Sequence, residues 1–277
     1  MGCGKLGQKI GENLSESSLE VIGIKRNPPK SPPRFKIITL DIFSDKFSDN
    51  INVINPDFLI YAVSSDEQTQ ESYHKNYVEG LKVTISALKK LNNFQHLFFI
   101  SSTRVYGQIS DDYLSESTPP KPSDFGGKLL LDAEKSLKNI SFKTTILRLS
   151  GIYGNNRRYM LRLAADPSKW PEENRWTNRI HEEDIVSFVN YLFSQILADM
   201  KIEDLYLLTD SQPILLFELL RWIRSDLNLP KDNIITPKGT IGKKLKSELL
   251  VKLNFSFTHS SYRSGYHKMI TSMKEVN

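Results

Sequence analysis

The 277-residue sequence lacks several features that would place it in a special class of protein. It has a single cysteine, Cys3, so it cannot form an internal disulfide, and a reducing, cytoplasmic location is expected. It has no apolar run near the roughly 18 residues that a membrane span requires, so no membrane partner is expected. Its first residues also lack the charged-then-apolar pattern of a secretion signal.

Strong net charge and metal-ligand spacing are also missing. The formal net charge is +5, from 37 basic and 32 acidic residues. This excess suits an anionic small ligand and falls short of a nucleic-acid-binding surface. The five histidines are scattered along the chain without the spacing of metal ligands, so no metal site is predicted. Hydrophobic residues make up 39% of the chain, which is enough for a sizeable core.

Short apolar runs alternate with amphipathic stretches in the first half of the chain. Runs rich in β-branched and aromatic residues predict buried strands at 21–24, 35–40, 58–63, 97–100 and 145–149. Helical spacing of apolar residues predicts helices over 71–91 and 128–137. This alternation predicts an α/β fold, a Rossmann doubly wound parallel sheet, over residues 1–155.

The pattern changes after about residue 155. Helical stretches dominate at 182–198 and 214–227, with a short strand at 205–208 between them. Residues 156–277 are therefore predicted to form a smaller, mixed C-terminal substrate lobe. Part of 178–210 is expected to return to the Rossmann sheet.

The N-terminus carries a glycine-rich loop of the G-x-G-x-x-G type, which is typical of dinucleotide binding. Its glycines permit a tight turn and close approach to a pyrophosphate, and the following helix offers N–H groups and a positive dipole end. The predicted cofactor contacts are Gly2, Gly4, Lys5, Leu6 and Gly7. Since the motif normally follows a strand, a short apolar segment of roughly five residues is expected ahead of the loop.

Basic residues follow the first predicted strand. An NAD site has an acidic residue about 20 positions past the glycines to bond the ribose 2′-OH, whereas this chain has Lys25 and Arg26. Because a guanidinium suits a 2′-phosphate, NADP is predicted as the cofactor, with NAD as the alternative. Asp41 is a candidate for the adenine amino group or, equally, a turn residue. Ala62 and Val63, at the end of the third predicted strand, complete the predicted cofactor contacts.

Five segments follow one another along the chain in a recognisable order. They read NYVEG at 76–80, FISSTRVYG at 99–107, RLSGIYG at 148–154, NRIHEED at 178–184 and SYRSG at 261–265. In this order they resemble the extended short-chain dehydrogenases/reductases, the NAD-dependent epimerase/dehydratase family. The last segment is similar to a tail of bacterial nucleoside-diphosphate-sugar epimerase-like proteins. The resemblance implies a Rossmann fold, an NAD(P) cofactor and a sugar nucleotide or related carbonyl compound as substrate.

The resemblance also implies how catalysis is divided among residues. In the family, a Ser or Thr on the fifth strand holds the substrate, and a Tyr-x-x-x-Lys pair transfers the proton and holds the nicotinamide ribose. Ser102 occupies the Ser/Thr position. Phe125, which cannot carry a proton, stands where the tyrosine is expected, and Lys128 is three residues on, still on the same helix face. Tyr113, in the loop after that strand, is the candidate substitute acid.

In the C-terminal lobe, Arg157 and Arg179 are predicted to bind the pyrophosphate of a sugar nucleotide. The alternative, given equal weight, is that both form salt bridges at the surface. His181 is expected to pack and to position the lobe. The resemblance further implies a homodimer that pairs through the helices at 71–91 and 128–137. Two functions stay open: an NADP-dependent epimerase, dehydratase or reductase, and a non-catalytic NADP-binding sensor or scaffold.

Overall fold

A computed structural model describes residues 1–17, 19–29, 31–155 and 157–274. The strands are β1 (Ile22–Lys25), β2 (Lys36–Thr39), β3 (Phe58–Tyr61), β4 (His96–Ser102), β5 (Tyr113–Leu114), β6 (Lys143–Leu149), β7 (Gly151–Tyr153), β8 (Trp176–Thr177), β9 (Arg179–His181), β10 (Leu205–Leu208), β11 (Ile214–Leu215) and β12 (Lys244–Leu245). The α-helices are α1 (Lys5–Ser15), α2 (Phe47–Ile54), α3 (Gln70–Tyr73), α4 (Gly80–Leu88), α5 (Phe125–Ser136), α6 (Tyr159–Ala165), α7 (Glu182–Leu197), α8 (Leu216–Asp226), α9 (Glu248–Lys252) and α10 (Tyr262–Lys274). None of the described helices is both long and apolar enough to cross a bilayer.

The chain folds into two compact units. Unit 1 comprises Met1–Val105, Pro122–Arg148 and Val186–Tyr206, and unit 2 comprises Tyr106–Lys121, Leu149–Ile185 and the chain from Leu207 onward. Unit 1 therefore draws on three parts of the chain. The assignment of 1–155 to the cofactor and 156–277 to the substrate stays a prediction.

Unit 1 is built on parallel strands. Four of them form one sheet in the order β10-β6-β4-β3, and β1 pairs with β2 in parallel in a second sheet. In β4, Leu97, Phe98 and Phe99 are fully enclosed. Burial of consecutive residues is expected for a parallel sheet covered on both faces. The predicted α/β fold with a parallel Rossmann sheet is confirmed.

The helix predicted over 71–91 contains a π-helical segment between α3 and α4. The Gly80 N–H bonds to the carbonyl of Lys75, five residues back, instead of to Asn76. The hydroxyl of Tyr61, from β3, donates to the Asn76 carbonyl at 2.5 Å. A Cβ on Gly80 would lie 2.6 Å from that hydroxyl, so only glycine fits. The spacing of apolar residues along a helix does not reveal a side chain that reaches it from another element.

Two further helix boundaries differ from the predicted ones. Helix α5 begins at Phe125 rather than at Lys128, because the Asp124 carboxylate accepts the Gly127 N–H at 2.8 Å and caps the helix. The helix predicted at 214–227 begins only at Leu216, since the two residues before it pair with β8 as an antiparallel strand. In both cases a contact at the helix start decides the boundary.

A buried ion pair links three elements of unit 1. The Arg148 guanidinium, on β6, donates to both carboxylate oxygens of Glu134, on α5, at 3.0 and 2.6 Å. The Ser101 hydroxyl, on β4, donates to the same carboxylate at 2.6 Å. Both charged side chains are about 95% covered, at 5% and 4% exposure. Because water reaches very little of either side chain, each charge is neutralised by the other.

Unit 2 has an aromatic core between helices α6, α8 and α10. Tyr153 stacks on Tyr266 with ring centroids 4.4 Å apart, and Trp170 meets Phe217 edge to face. Gly265 is required beside this stack because a Cβ there would collide with the Tyr153 hydroxyl. Short strands pair as β7 with β9, β8 with β11 and β5 with β12.

Replacing Arg148 with Met should lower the free energy of unfolding by about 3–5 kcal/mol, because Glu134 would be left charged and buried without its partner. Lys135→Met is the matched control, since Lys135 pairs with Asp132 at the exposed surface. It should change stability by less than about 0.5 kcal/mol. Urea unfolding measures both. Similar losses for the two variants would contradict the role of the buried pair.

Candidate functional site

The glycine loop of unit 1 lies directly against the end of β3. Gly2 has a φ of 71°, in the left-handed region that favours glycine. A Cβ at Gly2 would come within 2.6 Å of the backbone of Ala62 and Val63. The Met1 carbonyl accepts the Ala62 N–H at 2.9 Å. Two residues predicted from the sequence to contact the cofactor therefore adjoin the loop.

The loop leads into α1 with open space above the helix N-terminus. Gly4 is the N-cap residue, and no side chain caps the helix. A Cβ on Gly4 would meet only the Gly2 carbonyl, at 3.9 Å, whereas one on Gly7 would lie 3.1 Å from the same oxygen. Lys5 is exposed, and Leu6 turns its side chain into the core. An uncapped helix N-terminus with room above it fits an anionic group such as a pyrophosphate.

The predicted basic pair lies at the end of β1. Lys25 is half-buried, and the exposed Arg26 pairs with the Asp66 carboxylate at 2.5 Å. This hydrogen bond raises the pKa of Arg26 further. Asp66 gave no signal in the sequence, because it lies in the chain that follows β3, remote in sequence from Arg26. Asp41 accepts the Phe43 N–H at 2.9 Å and closes a turn, and its contact with adenine stays a prediction.

The two remaining candidates of unit 1 lie on β4 and α5. Ser102 is the last residue of β4, half-buried, and its hydroxyl oxygen accepts the Arg104 N–H at 3.2 Å. Lys128 lies in the first turn of α5 and is exposed. Their catalytic roles, implied by the resemblance, stay predictions.

Sequence reasoning missed the cluster around Phe125. The Arg104 guanidinium lies 5.0 Å from the ring centroid of Tyr73 and 5.2 Å from that of Phe125. It donates to the Tyr73 hydroxyl at 2.7 Å and to the Asp124 carboxylate at 2.9 Å. Three separate elements supply these residues, so no spacing along the chain reveals them. Phe125 therefore fills a packed position beside a phenol that belongs to Tyr73.

Unit 2 contains a polar cavity of about 600 Å³. Its lining is rich in arginine and tyrosine: Arg157, Arg158, Arg162, Arg179, Tyr153, Tyr159 and Tyr266. Among the described residues, the buried Nε atoms of Arg157 and Arg179 and the Tyr266 hydroxyl have no hydrogen-bond partner. Buried donors without partners are rare and call for a ligand or solvent. Arg157 Nε also lies 3.9 Å from the buried Glu182 carboxylate, which offsets one of the four positive charges. The unbonded donors and the remaining charges suit an anionic ligand that accepts hydrogen bonds.

A buried carboxyl group lies behind Arg179. The Asp210 N–H donates to the Arg179 carbonyl at 2.8 Å, and one Asp210 carboxylate oxygen accepts the Gln212 N–H at 3.0 Å. The other oxygen has no partner among the described residues. Burial raises the pKa of Asp210 to about 7, although the nearby Arg179 charge acts in the opposite direction. The charge at this point of unit 2 therefore changes near neutral pH.

Two histidines that are remote in sequence come together in unit 2. Ligand atoms of His181, Glu183 and His259 all lie within 4.8 Å of one another. His259 Nε2 is 2.9 Å from the Glu183 carboxylate, which also accepts a hydrogen bond from Lys268 at 3.0 Å. His181 and His259 are therefore neighbours in the fold, although they are far apart in the sequence. His181 also packs edge-on against Tyr153.

Tyr113, the predicted substitute acid, lies on β5 of unit 2. Its side chain is 52% exposed, and Lys244 Nζ lies 5.2 Å from its ring centroid. A cation at this distance interacts favourably with the face of the ring. The use of Tyr113 as an acid stays a prediction.

The sequence profile of the NAD-dependent epimerase/dehydratase family matches residues 2–170. The chain belongs to this family. A solved structure from Methylobacillus flagellatus, assigned as an NAD-dependent epimerase/dehydratase, is 36% identical to it. The two superpose with a TM-score of 0.87 over 99% of this chain and 97% of that one. The resemblance drawn from the sequence is confirmed.

Other epimerase/dehydratase structures share the fold at low identity. The UDP-glucose 4-epimerase of Thermotoga maritima, solved with UDP-glucose, is 15% identical, with a TM-score of 0.78 over 99% of this chain and 97% of that one. MoeE5, solved with UDP-glucuronic acid and NAD, is 15% identical, with a TM-score of 0.79 over 100% and 98%. No curated protein matches the chain in a sequence search.

Within this epimerase/dehydratase-family chain, Asp210 should make stability depend on pH. Its folded-state pKa of about 7 lies above the ordinary value of 3.8, so its contribution to stability is complete below about pH 4 and is lost as the pH rises through 7. Asp210→Asn should therefore be more stable than the native chain at pH 8, by about 1–3 kcal/mol, with little gain at pH 4.

Urea unfolding at both pH values measures this difference. Asp111→Asn, at an exposed position of the same unit, is the control for removal of one negative charge. A gain for Asp210→Asn that is equal at pH 4 and pH 8 would rule out the titration of this carboxyl group as the cause.

Proposed function

We propose that the protein is an NADP-dependent enzyme of the epimerase/dehydratase kind that acts on a sugar nucleotide. The observation that carries the proposal is the arginine-lined cavity of unit 2, whose unpartnered donors suit a diphosphate. A nucleoside-diphosphate sugar combines such a diphosphate with a base that can stack on an exposed tyrosine such as Tyr159.

The cofactor part of the proposal rests on the glycine loop and the basic pair. Gly2, Gly4 and Gly7 let the backbone approach a pyrophosphate at the N-terminus of α1. Arg26, held by Asp66, offers a planar guanidinium for a 2′-phosphate, and Lys25 adds a second positive charge. When bound, the nicotinamide supplies hydride transfer, and the protein orients and polarises the substrate.

The remaining catalytic roles follow the order of the family's motifs. Ser102 binds the substrate hydroxyl or carbonyl, and Lys128, which carries an exposed ammonium group, holds the nicotinamide ribose. Phe125 donates no proton, so this role passes to a group such as Tyr113, whose phenol is exposed to solvent. General acid catalysis needs a group that gains and loses a proton, which a phenol does and a phenyl ring does not.

A second function, a non-catalytic NADP-binding sensor or scaffold, is favoured by Phe125 alone. Its ring packs against Tyr73 and Arg104. Under this alternative the protein binds dinucleotide and sugar nucleotide without turnover. The two functions are separated by incubating the protein with NADP⁺ and UDP-glucose and following absorbance of the reduced cofactor and the sugar products.

The substrate proposal predicts that Arg157→Met weakens UDP-glucose binding about 10- to 100-fold, because one charge-assisted contact to the diphosphate is lost. Binding of uridine, which has no phosphate, should not change. Calorimetric titration measures both ligands. Arg34→Met, at an exposed arginine of unit 1, is the control and should leave UDP-glucose binding unchanged. Equal affinity of the Arg157→Met variant and the native chain for UDP-glucose would contradict the assignment of this cavity.

A further inference from the structure

Arg26, which directly follows β1, is paired with a carboxylate from another part of unit 1. Its Nη2 atom donates to Oδ1 of Asp66 at 2.5 Å, and the two side chains are 48% and 52% exposed. A salt bridge that is half open to water adds little to stability. The consequence of this pair therefore lies in what it does to a ligand at Arg26 rather than in what it adds to the fold.

The segment that carries Asp66 follows β3 and is anchored on both sides of this residue. The hydroxyl oxygens of Ser65 and Ser72 are 2.8 Å apart, and the Glu67 N–H donates to the Ser72 hydroxyl at 3.4 Å. Ser72 belongs to α3, so the backbone around Asp66 is tied to a helix. A phosphate that approaches Arg26 therefore meets a carboxylate whose backbone is held in place.

Arg26 is subject to opposing charges. Lys25 precedes it with a positive charge, whereas Asp66 and Asp41 are negative. The hydrogen bond with Asp66 contributes most to raising the pKa of Arg26, and the Asp41 charge adds a smaller contribution. A negatively charged phosphate is attracted by the guanidinium and repelled by the carboxylate beside it. A ribose hydroxyl is neutral and can donate to a carboxylate, so it is not repelled.

We propose that Asp66 is a specificity-determining residue, which limits the affinity of the site for NADP by holding a negative charge beside the phosphate-binding guanidinium of Arg26. This inference rests on the proposed NADP site and adds a repulsive element to its selectivity. Discrimination between two ligands is a difference of two affinities, so a charge that opposes one ligand sets it as much as a charge that attracts that ligand.

Arg26 is able to bind both partners at once. A guanidinium has five N–H donors on three nitrogens, so Nη2 can stay on Asp66 while another edge of the group binds a phosphate. The phosphate and the carboxylate are then neighbours across a single guanidinium. This separation is shorter than the roughly 8 Å over which salt screens charges at physiological ionic strength. The repulsion therefore persists under ordinary buffer conditions.

The test removes the charge of Asp66 and keeps the shape of its side chain. Asp66→Asn should strengthen NADPH binding about tenfold, because the repulsion is lost, and should change NADH binding by less than about twofold. Calorimetric titration at about 0.15 M salt measures both. Glu67→Gln is the matched control, since it removes an exposed acidic group one residue away. It should change NADPH binding by less than about twofold.

Two smaller probes examine the phosphate subsite without the rest of the cofactor. Asp66→Asn should strengthen the binding of adenosine 2′-phosphate and leave that of adenosine 5′-phosphate unchanged. An equal gain for both probes, or for NADPH and NADH, would overturn the proposal. An equal gain from Glu67→Gln would do the same, since the effect would then come from net charge rather than from the contact with Arg26.

The titrations also separate this proposal from the proposed cofactor. If the native chain prefers NADPH and Asp66→Asn has the native affinities, the cofactor assignment stands and the role of Asp66 is wrong. If neither the native chain nor the variant binds NADPH or NADH, the cofactor assignment is wrong and the role of Asp66 is wrong with it.

Discussion

The pairing of residues 1–3 with two strand edges is the constraint on which the arrangement of unit 1 depends. Met1 bonds to β3 and Cys3 bonds to β1, so backbone hydrogen bonds hold both ends of the loop. Gly2 can occupy this position only because it has no Cβ to collide with Ala62 and Val63. The direction of α1 and the open space at its N-terminus follow from this placement, as does the proximity of the loop to the end of β1.

Positive charge is concentrated where each unit is suited to bind phosphate. In unit 1 the cation is Arg26, held in place by Asp66. In unit 2 four arginines line a cavity, and buried donor atoms of Arg157, Arg179 and Tyr266 have no hydrogen-bond partner among the described residues. Arrangements of this kind cost stability when empty, because desolvated donors are not compensated. They are therefore typical of sites that bind a ligand rather than of structural networks.

The sequence predicted the fold class and the family because strand runs, helical spacing and ordered motifs are local signals. It also located the glycine loop and the basic pair after β1. Contacts between distant parts of the chain left no such signal. Three such contacts each join residues from separate elements. They are the bond from the Tyr61 hydroxyl to the Asn76 carbonyl in the π-helical segment, the Arg104 cluster around Phe125, and the approach of His259 to Glu183. Helix α5 begins at Phe125, ahead of the predicted start at Lys128, because Asp124 caps it. The spacing of apolar residues, on which the prediction rested, carries no information about such a cap.

The central claim is that the glycine loop and Arg26 bind NADP. Dinucleotide selectivity tests this claim most directly. Calorimetric titration of the 277-residue chain with NADPH and NADH should give tighter binding of NADPH by about tenfold or more, since Arg26 gains a charge-assisted pair with the 2′-phosphate. Arg26→Ala should bring the two affinities close together and leave NADH binding nearly unchanged. Equal binding of both dinucleotides by the native chain would contradict the assignment of Arg26. Absence of binding for both would contradict the assignment of the glycine loop as a cofactor site.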